Sequence, residues 1–261
     1  MRSLSIAATG MLAQQLNVEV ISNNIANMNT TAYKRQRAEF QDLLYQSERR
    51  VGSQAADNNS IVPAGVELGL GVKTAAVYRI TEQGNLTTTG NQLDLAIQGK
   101  GYFQVTLPDN TIAYTRAGSF QLDQNGNIVT ADGLKITGAN AIPSNATSIT
   151  INQSGQIFVS QQGQTQLAAA GQFSLVSFIN DTGLQPLGNN MFIQTQASGN
   201  PTIGTAGNQG FGTILQGFLE SSNVNTVQEI TNLISAQRAY EMNSKVIQAS
   251  DEMLQTLNNT H

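Results

Sequence analysis

Between Leu4 and Ile25 the apolar positions Leu4, Ala8, Met11, Val18 and Ile25 follow alternating steps of three and four residues, with Gln15 and Ser22 in the remaining places. That spacing predicts a helix with one narrow apolar stripe. Toward the other end Leu233, Ala236, Tyr240, Ile247, Leu254 and Leu257 keep the same alternation through Asn243 and Ser250, which predicts a second helix over 227–258. Glu241 and Lys245, four residues apart in the favourable order, would add about 0.3 kcal/mol to that helix. Packing must supply most of its stability.

Between Val72 and Phe218 the texture changes. Short runs rich in Val, Ile, Phe, Tyr and Thr appear: "VKTAAVYRI", "LDLAIQ", "YFQVTL", "IAYTRA", "SFQLD", "LKIT", "SITI", "QIFVS", "FSLVSFI" and "MFIQT". Turn clusters such as "PDN", "QNGN", "ADG", "NDTG" and "LGNN" separate them. The middle therefore reads as strands, mostly antiparallel, without intervening helices. Between the first helix and this body, "YQSERRVGSQAADNNSIVPAG" (45–65) has almost no apolar period. It reads either as a disordered linker or as an arm that orders only against neighbours. The expected organisation is an N-terminal helix (1–35), an extended arm or linker (36–70), a central β-domain (71–220) and a C-terminal helix (221–261). The fold class is α+β, mainly β, with the two terminal helices paired in a coiled-coil-like domain.

Composition narrows the chemistry. Charged residues make up only 11% of the 261 residues, against about 25% in an average globular protein. Thirteen basic and seventeen acidic residues give a net charge of −4, and the longest basic cluster is "YKRQR". No nucleic acid or anionic membrane is an expected partner. There is no cysteine, and the single histidine is the last residue, His261. Disulfides, thiolate sites and histidine-based catalysis are thereby excluded. Asp94, Asp109, Asp123 and Asp132 each sit beside turn or strand-edge sequence with no partner at metal-ligand spacing. "DQNGNIV" echoes the opening of a calcium loop, but its glycine falls at the fourth position and Leu134 occupies the twelfth, so a hairpin turn is expected. A carboxylate pair such as Asp123 and Asp132 is chemically sufficient for glycoside hydrolysis, yet nothing in the sequence selects it. No catalytic residue, metal or cofactor is expected. No stretch approaches the ~20 apolar residues of a membrane span, and "MRSLSIAATGMLAQQL" reads as mature helix, not as a signal peptide.

The helices pose a burial problem. Arg2 and Glu19 are the only charges between Met1 and Tyr33, so the faces away from any mutual seam are polar but neutral. Asn, Gln, Ser and Thr can satisfy one another by hydrogen bonds in a close-packed wall, whereas long charged side chains would need ion partners or water. Such faces suit burial among identical copies, and a head-to-tail contact of that kind propagates as a helical filament. The alternative is a helical hairpin docked under a β-domain in a monomer.

Three long segments carry a resemblance. "ISNNIANMNTTAYKRQRAEFQDLLYQ" resembles the N-terminal signature of the bacterial flagellar rod and hook family, and "GFLESSNVNTVQEITNLISAQRAYEMNSKVIQASDEMLQTLN" resembles its C-terminal signature. Between them "QGNLTTTGNQLDLAIQGKGYFQVTLPDNTIAYTRAGSFQLDQNGNIVTADG" is similar to the family's central β region. The chain lacks the extra outer domains of hook members, and "KRQRAEFQDLLYQ" with "AQRAYEMNSK" is most similar to the distal rod branch. Proximal rod or hook paralogues are the alternative, followed by an unrelated β-domain binding module or adhesin. Ala32 and Tyr33 stand where relatives often carry Gly and Phe.

The resemblance implies a subunit exported unfolded through the flagellar type III apparatus. Its partners would be further copies of itself in a hollow helical tube, proximal rod proteins, the hook protein, and the periplasmic and outer-membrane rings. The assembly signature maps onto Asn23, Asn24, Ala26, Asn27, Asn29, Thr30, Tyr33 and Lys34, and onto Gln237, Arg238, Ala239, Tyr240 and Glu241. With the stripe residues Leu4, Met11, Val18, Ile25, Leu233, Ile247 and Leu254, these form the expected assembly interface. Tyr240 is expected in the seam, with Arg238 and Glu241 reaching neighbouring copies.

Overall fold

A computed structural model describes residues 2–49, 64–164 and 166–259. The chain opens with α1 (Arg2–Ala26), β1 (Gln36–Asp42), β2 (Tyr45–Arg49), β3 (Val66–Gly69) and β4 (Val72–Arg79). It continues through β5 (Leu86–Thr88), β6 (Leu95–Gln98), β7 (Tyr102–Thr106), β8 (Ile112–Thr115), β9 (Gln121–Leu122), β10 (Ile128–Val129) and β11 (Lys135–Ile136). Then come β12 (Ala146–Ile151), β13 (Gln156–Gln161), β14 (Ala168–Gln172), β15 (Ser174–Ser177), β16 (Gln185–Gly188) and β17 (Met191–Ile193). The last elements are β18 (Thr202–Thr205), β19 (Thr213–Gln216), β20 (Phe218–Glu220) and α2 (Thr226–Asn259). The fold class is as expected, with a helix at each end and antiparallel strands between.

The described residues divide into two units, one of those within 1–26, 36–78 and 225–261, the other of those within 27–35 and 79–224. In the first, α1 and α2 pair, and the strands β1 to β4 accompany them. Here the structure differs from the expected arm. β1 pairs with β4, and β2 pairs antiparallel with β3 from Tyr45↔Gly69 to Arg49↔Val66. β1 alternates half-buried Gln36, Ala38 and Phe40 with exposed Arg37 and Glu39, a period-two pattern that suits a strand with one covered face. The centre of the arm, 50–63, lies outside the described residues. β4 belongs with the helices, although its run of Val, Thr, Ala and Tyr read as part of the central body. The ribbon comes close to α1 at Gly71. The Val72 amide donates to Thr9 Oγ1 at 3.3 Å, and Gly71, with φ of 121°, leaves the space that the Thr9 hydroxyl fills.

In the second unit β7 is the organising strand. It pairs antiparallel with β8 and, at its two ends, with β15 and β11. Alternation divides its side chains between two cores. Phe103 and Val105 enter the larger one with Phe120, Ile157, Phe173 and Ile214, while Tyr102 joins Tyr114, Val176, Phe178 and Leu184. Phe103 meets Phe120 and Phe173 edge-on at centroid distances of 5.3 and 6.1 Å, an arrangement favoured by the ring quadrupoles. A three-stranded sheet β12-β13-β14 and the pairs β19-β6 and β20-β5 complete the unit. The calcium-like segment is a turn: Asp123 Oδ1 accepts the Asn125 and Asn127 amides, both at 2.8 Å.

Candidate assembly surface

Small and polar groups meet across the helix pair, and α1 also buries Ala7, Ala13, Val20 and Ile21. Ser250 Oγ reaches Ser3 Oγ at 3.4 Å, Gly10 faces Asn243, and Asn24 Nδ2 donates to Glu229 Oε2 at 3.2 Å. As α1 advances from 3 to 10 to 24, its partners on α2 retreat from 250 to 243 to 229, so the helices run antiparallel in constant register. A Cβ at residue 10 would lie 2.8 Å from Asn243 Nδ2. The missing side chain is what lets the helices approach so closely. On α2 the seam passes through Glu229, Ala236, Asn243 and Ser250, while Tyr240 and Leu254 of the expected stripe are exposed.

On α1 the seam differs from the expected one. It follows Ser3, Gly10 and Asn24, one residue behind Leu4, Met11, Val18 and Ile25, which corresponds to about 100° of helix rotation. Those four stripe residues flank the seam, half-buried. Close backbone approach selects the small line for the contact and leaves the bulkier stripe beside it. Val20 and Ile21 are buried, but other large apolar side chains point outward. Leu12 is 67% exposed, Val227 73% and Met242 61%, and Ile230, Ile234 and Val246 are exposed with them.

Tyr240 stands at the rim of a groove, 43% exposed, instead of in the seam. This groove, of about 530 Å³, is lined by Gln15, Val18, Glu19, Gln237, Tyr240 and Glu241. It gathers Val18, Gln237, Tyr240 and Glu241 from the expected interface. Arg238 and Leu254 are exposed on α2, and Leu233, Ala239 and Ile247 are half-buried. Asn23, Ala26 and Asn29 are exposed. Among the described residues, Glu241 and Lys245 make no ion pair within 4.0 Å.

Other signature residues work inside the chain. Asn24 is buried; its Nδ2 donates to the Gln36 carbonyl and its Oδ1 accepts the Gln36 amide, both at 2.8 Å. It thereby joins the end of α1 to the start of β1. In the second unit Thr30 turns back on Asn27, with Oγ1 donating to Asn27 Oδ1 at 3.1 Å. The half-buried Tyr33 offers its carbonyl to the Asn223 amide at 3.3 Å. Ala32 takes a φ of 57°, and its amide donates to the Glu220 carbonyl at 2.8 Å. Lys34, expected at a subunit contact, is buried. Its Nζ bonds Glu220 Oε1 at 2.5 Å and the Glu82 carbonyl at 2.8 Å.

Glu220 is the centre of this cluster. Arg116 Nε donates to its other oxygen at 2.9 Å, while the rest of the guanidinium binds the Gly101, Gly99 and Ile97 carbonyls. Burial would push the carboxyl of Glu220 up, but Arg116 and Lys34 outweigh it and hold its pKa below the ordinary glutamate value. Burial draws the Lys34 ammonium below its usual range against the pull of Glu220. Sequence reasoning missed Glu220 and Arg116 because their partners are distant in the chain. It also missed Ser3, Gly10 and Glu229, although Ser3, Gly10 and Asn24 keep heptad spacing, a signal that an apolar search passes over.

Three family models match segments of the chain: the flagella basal body rod protein over residues 4–34, the flagellar hook protein FlgE/F/G D1 domain over 96–159, and the flagellar basal body rod FlgEFG protein C-terminal region over 215–260. A flagellar basal-body rod protein FlgG of Caulobacter vibrioides is 57% identical over 98% of this chain and 97% of its own length. The chain belongs to the flagellar basal-body rod family. Rod proteins named FlgG from Agrobacterium fabrum and Bacillus subtilis are 53% and 39% identical, covering 97% and 99% of this chain and 97% and 98% of their own. The rod-family models fall on both helical ends, and the D1 model falls on the β-rich unit. Among the described residues no helix is long and apolar enough to cross a membrane, and no cluster of acidic or histidine side chains is placed to hold a metal ion.

Proposed function

We propose that this chain is a structural subunit of the flagellar distal rod, assembling with copies of itself into a hollow helical tube that carries torque from motor to hook. The observation that carries this reading is near-full-length similarity to flagellar rod proteins, in a chain whose helix pair leaves large apolar side chains such as Leu12, Val227 and Met242 exposed. Burying those apolar side chains against further copies releases about 25 cal/mol per Å². The work of the molecule is then mechanical, with no catalysis. Its place is the basal body, reached through the flagellar export apparatus, with proximal rod, hook and ring proteins as neighbours. The helix faces carrying Leu4, Met11, Val18, Tyr240 and Leu254 make the subunit contacts, and the segment around 45–65 stiffens the tube by packing between subunits.

The test is negative-stain electron microscopy of the concentrated full-length chain beside one lacking 1–26 and 225–261, each also added to purified rod ends. Tubes or extended rods from the full-length chain alone are expected. Equal assembly by the shortened chain would overturn the assignment of the contacts to the helices.

A further inference from the structure

Resting on the rod-subunit reading, we infer that Asn223 and Glu220 form a clasp that ties three connecting segments of the chain together, so that load entering the β-rich unit through one of them is shared by all. The chain passes between its two units at four places, 26–27, 35–36, 78–79 and 224–225. Segments 32–35, 80–85 and 220–223, all within the β-rich unit, adjoin the last three of these along the chain. They are far apart in sequence. Two side chains bring them together.

Asn223 uses its amide in both directions. Its Oδ1 accepts the Arg35 amide at 2.7 Å, and its Nδ2 donates to the Ile80 and Glu82 carbonyls at 2.9 and 3.0 Å. One acceptor and two donors are what a carboxamide offers, and all are used here. The segments also bond one another directly. The Ile80 amide donates to the Arg35 carbonyl at 2.9 Å, and the Ser221 amide to the Asn85 carbonyl at 2.8 Å. Glu220 repeats the arrangement with charge. Its Oε1 accepts Lys34 Nζ at 2.5 Å and the Gly84 amide at 3.0 Å, and its backbone carbonyl accepts the Ala32 amide at 2.8 Å. Arg116 holds Oε2 and fastens the cluster to strand ends of the same unit through the Gly101, Gly99 and Ile97 carbonyls. A Cβ at residue 84 would lie 2.0 Å from the Ser221 carbonyl oxygen, so this approach needs a glycine.

No residue of the three segments belongs to either core of the unit. Hydrogen bonds and one buried charge cluster hold them instead. Members of such a network support one another, and the network opens as one cooperative piece. Connections bonded side by side divide a load that separate ones would each meet alone. The signature segment "LESSNV" (219–224) thereby contributes both clasp side chains.

Hydrogen exchange and load together distinguish the clasp from a local contact. The amides of Ala32, Ile80 and Ser221 are not bonded to the Asn223 side chain. In the Asn223→Ala monomer they should nevertheless exchange about tenfold faster together, while those of β7 and β13 keep their wild-type rates. Asn223→Asp keeps the acceptor for Arg35, loses both donors and should loosen the same three amides; circular dichroism checks that each chain is folded. In cells carrying either variant, rods should form in wild-type number. In viscous medium, where the motor works against high load, these cells should shed flagella about fivefold more often than wild type, and at low load equally often. Faster exchange confined to the Arg35 amide, or shedding that is unchanged or equally raised at both loads, would overturn the clasp. Wild-type basal bodies devoid of the chain would overturn the rod-subunit reading itself, and the exchange result would still decide whether the three segments open as one.

Discussion

The β-rich unit and the helix pair solve burial in opposite ways. In the first, Phe103, Phe120, Phe173, Ile157 and Ile214 face inward and are fully buried, while the charges of Lys34, Glu220 and Arg116 are paired inside. In the second, α1 buries Ala7, Ala13, Val20 and Ile21, and small and polar contacts, Ser3 with Ser250, Gly10 with Asn243 and Asn24 with Glu229, join the helices, while Leu12, Val227 and Met242 face out. A unit of the first kind is complete as one copy. A unit of the second kind leaves large apolar side chains exposed in the single copy. That contrast links the packing of the single chain to its proposed role as a repeating part.

The contrast can be broken from either side. Phe103→Ala removes the ring at the centre of the larger core and should cost about 3 to 5 kcal/mol. Thermal unfolding of the β-rich unit would report it as a large drop in Tm, with helix-pair contacts untouched. Next in size is Glu220→Gln, which strips the counter-charge from two buried cations and should cost about 3 kcal/mol. Its signature is in pH. The folded-state pKa of Glu220 lies below the ordinary 4.5, so its contribution is complete above that value and lost as pH falls through the lowered one. Wild-type stability should decline in acid over that window, and that part of the slope should vanish in Glu220→Gln.

Gly10→Ile probes the other unit. A branched side chain against Asn243 would force the helices apart at a cost of about 1 to 3 kcal/mol. Tube formation should fail while the unfolding free energy of the β-rich unit stays within about 0.5 kcal/mol of wild type, as for substitutions at independent sites. The smallest effect is a gain. Ala32 has a left-handed φ of 57°, where a Cβ costs about 1 kcal/mol. Ala32→Gly should raise stability by up to about that amount in a denaturant titration, less the entropy a glycine loses on folding.

Much of this contrast was legible in the sequence. The terminal helices, the runs that became β6, β7, β8, β13, β15 and β17, and the α2 seam through Ala236, Asn243 and Ser250 follow from periodicity. The α1 seam did not, because periodicity gives a spacing and not the choice between two neighbouring lines of residues. The apolar line of Leu4, Met11, Val18 and Ile25 looked like the contact, whereas close packing favours the line of Ser3, Gly10 and Asn24. Lys34 was misplaced for a different reason. The resemblance put it at a subunit contact, and its partner Glu220 is brought to it by the pairing of 32–33 with 220–223. Strands such as β5 and β20 escaped notice because each is short and finds its partner across more than half the chain.

Amide hydrogen exchange, measured on the monomeric chain and on the same chain in assembled rods, tests the central claim most directly. Protection in α1 and α2 should rise on assembly by more than about a hundredfold, since covering the outward apolar faces adds stability that the polar seam lacks. Protection in β7, β8 and β13 should barely change. Helices already as protected in the monomer as in the rod would contradict the account, because the helix pair would then be complete on its own.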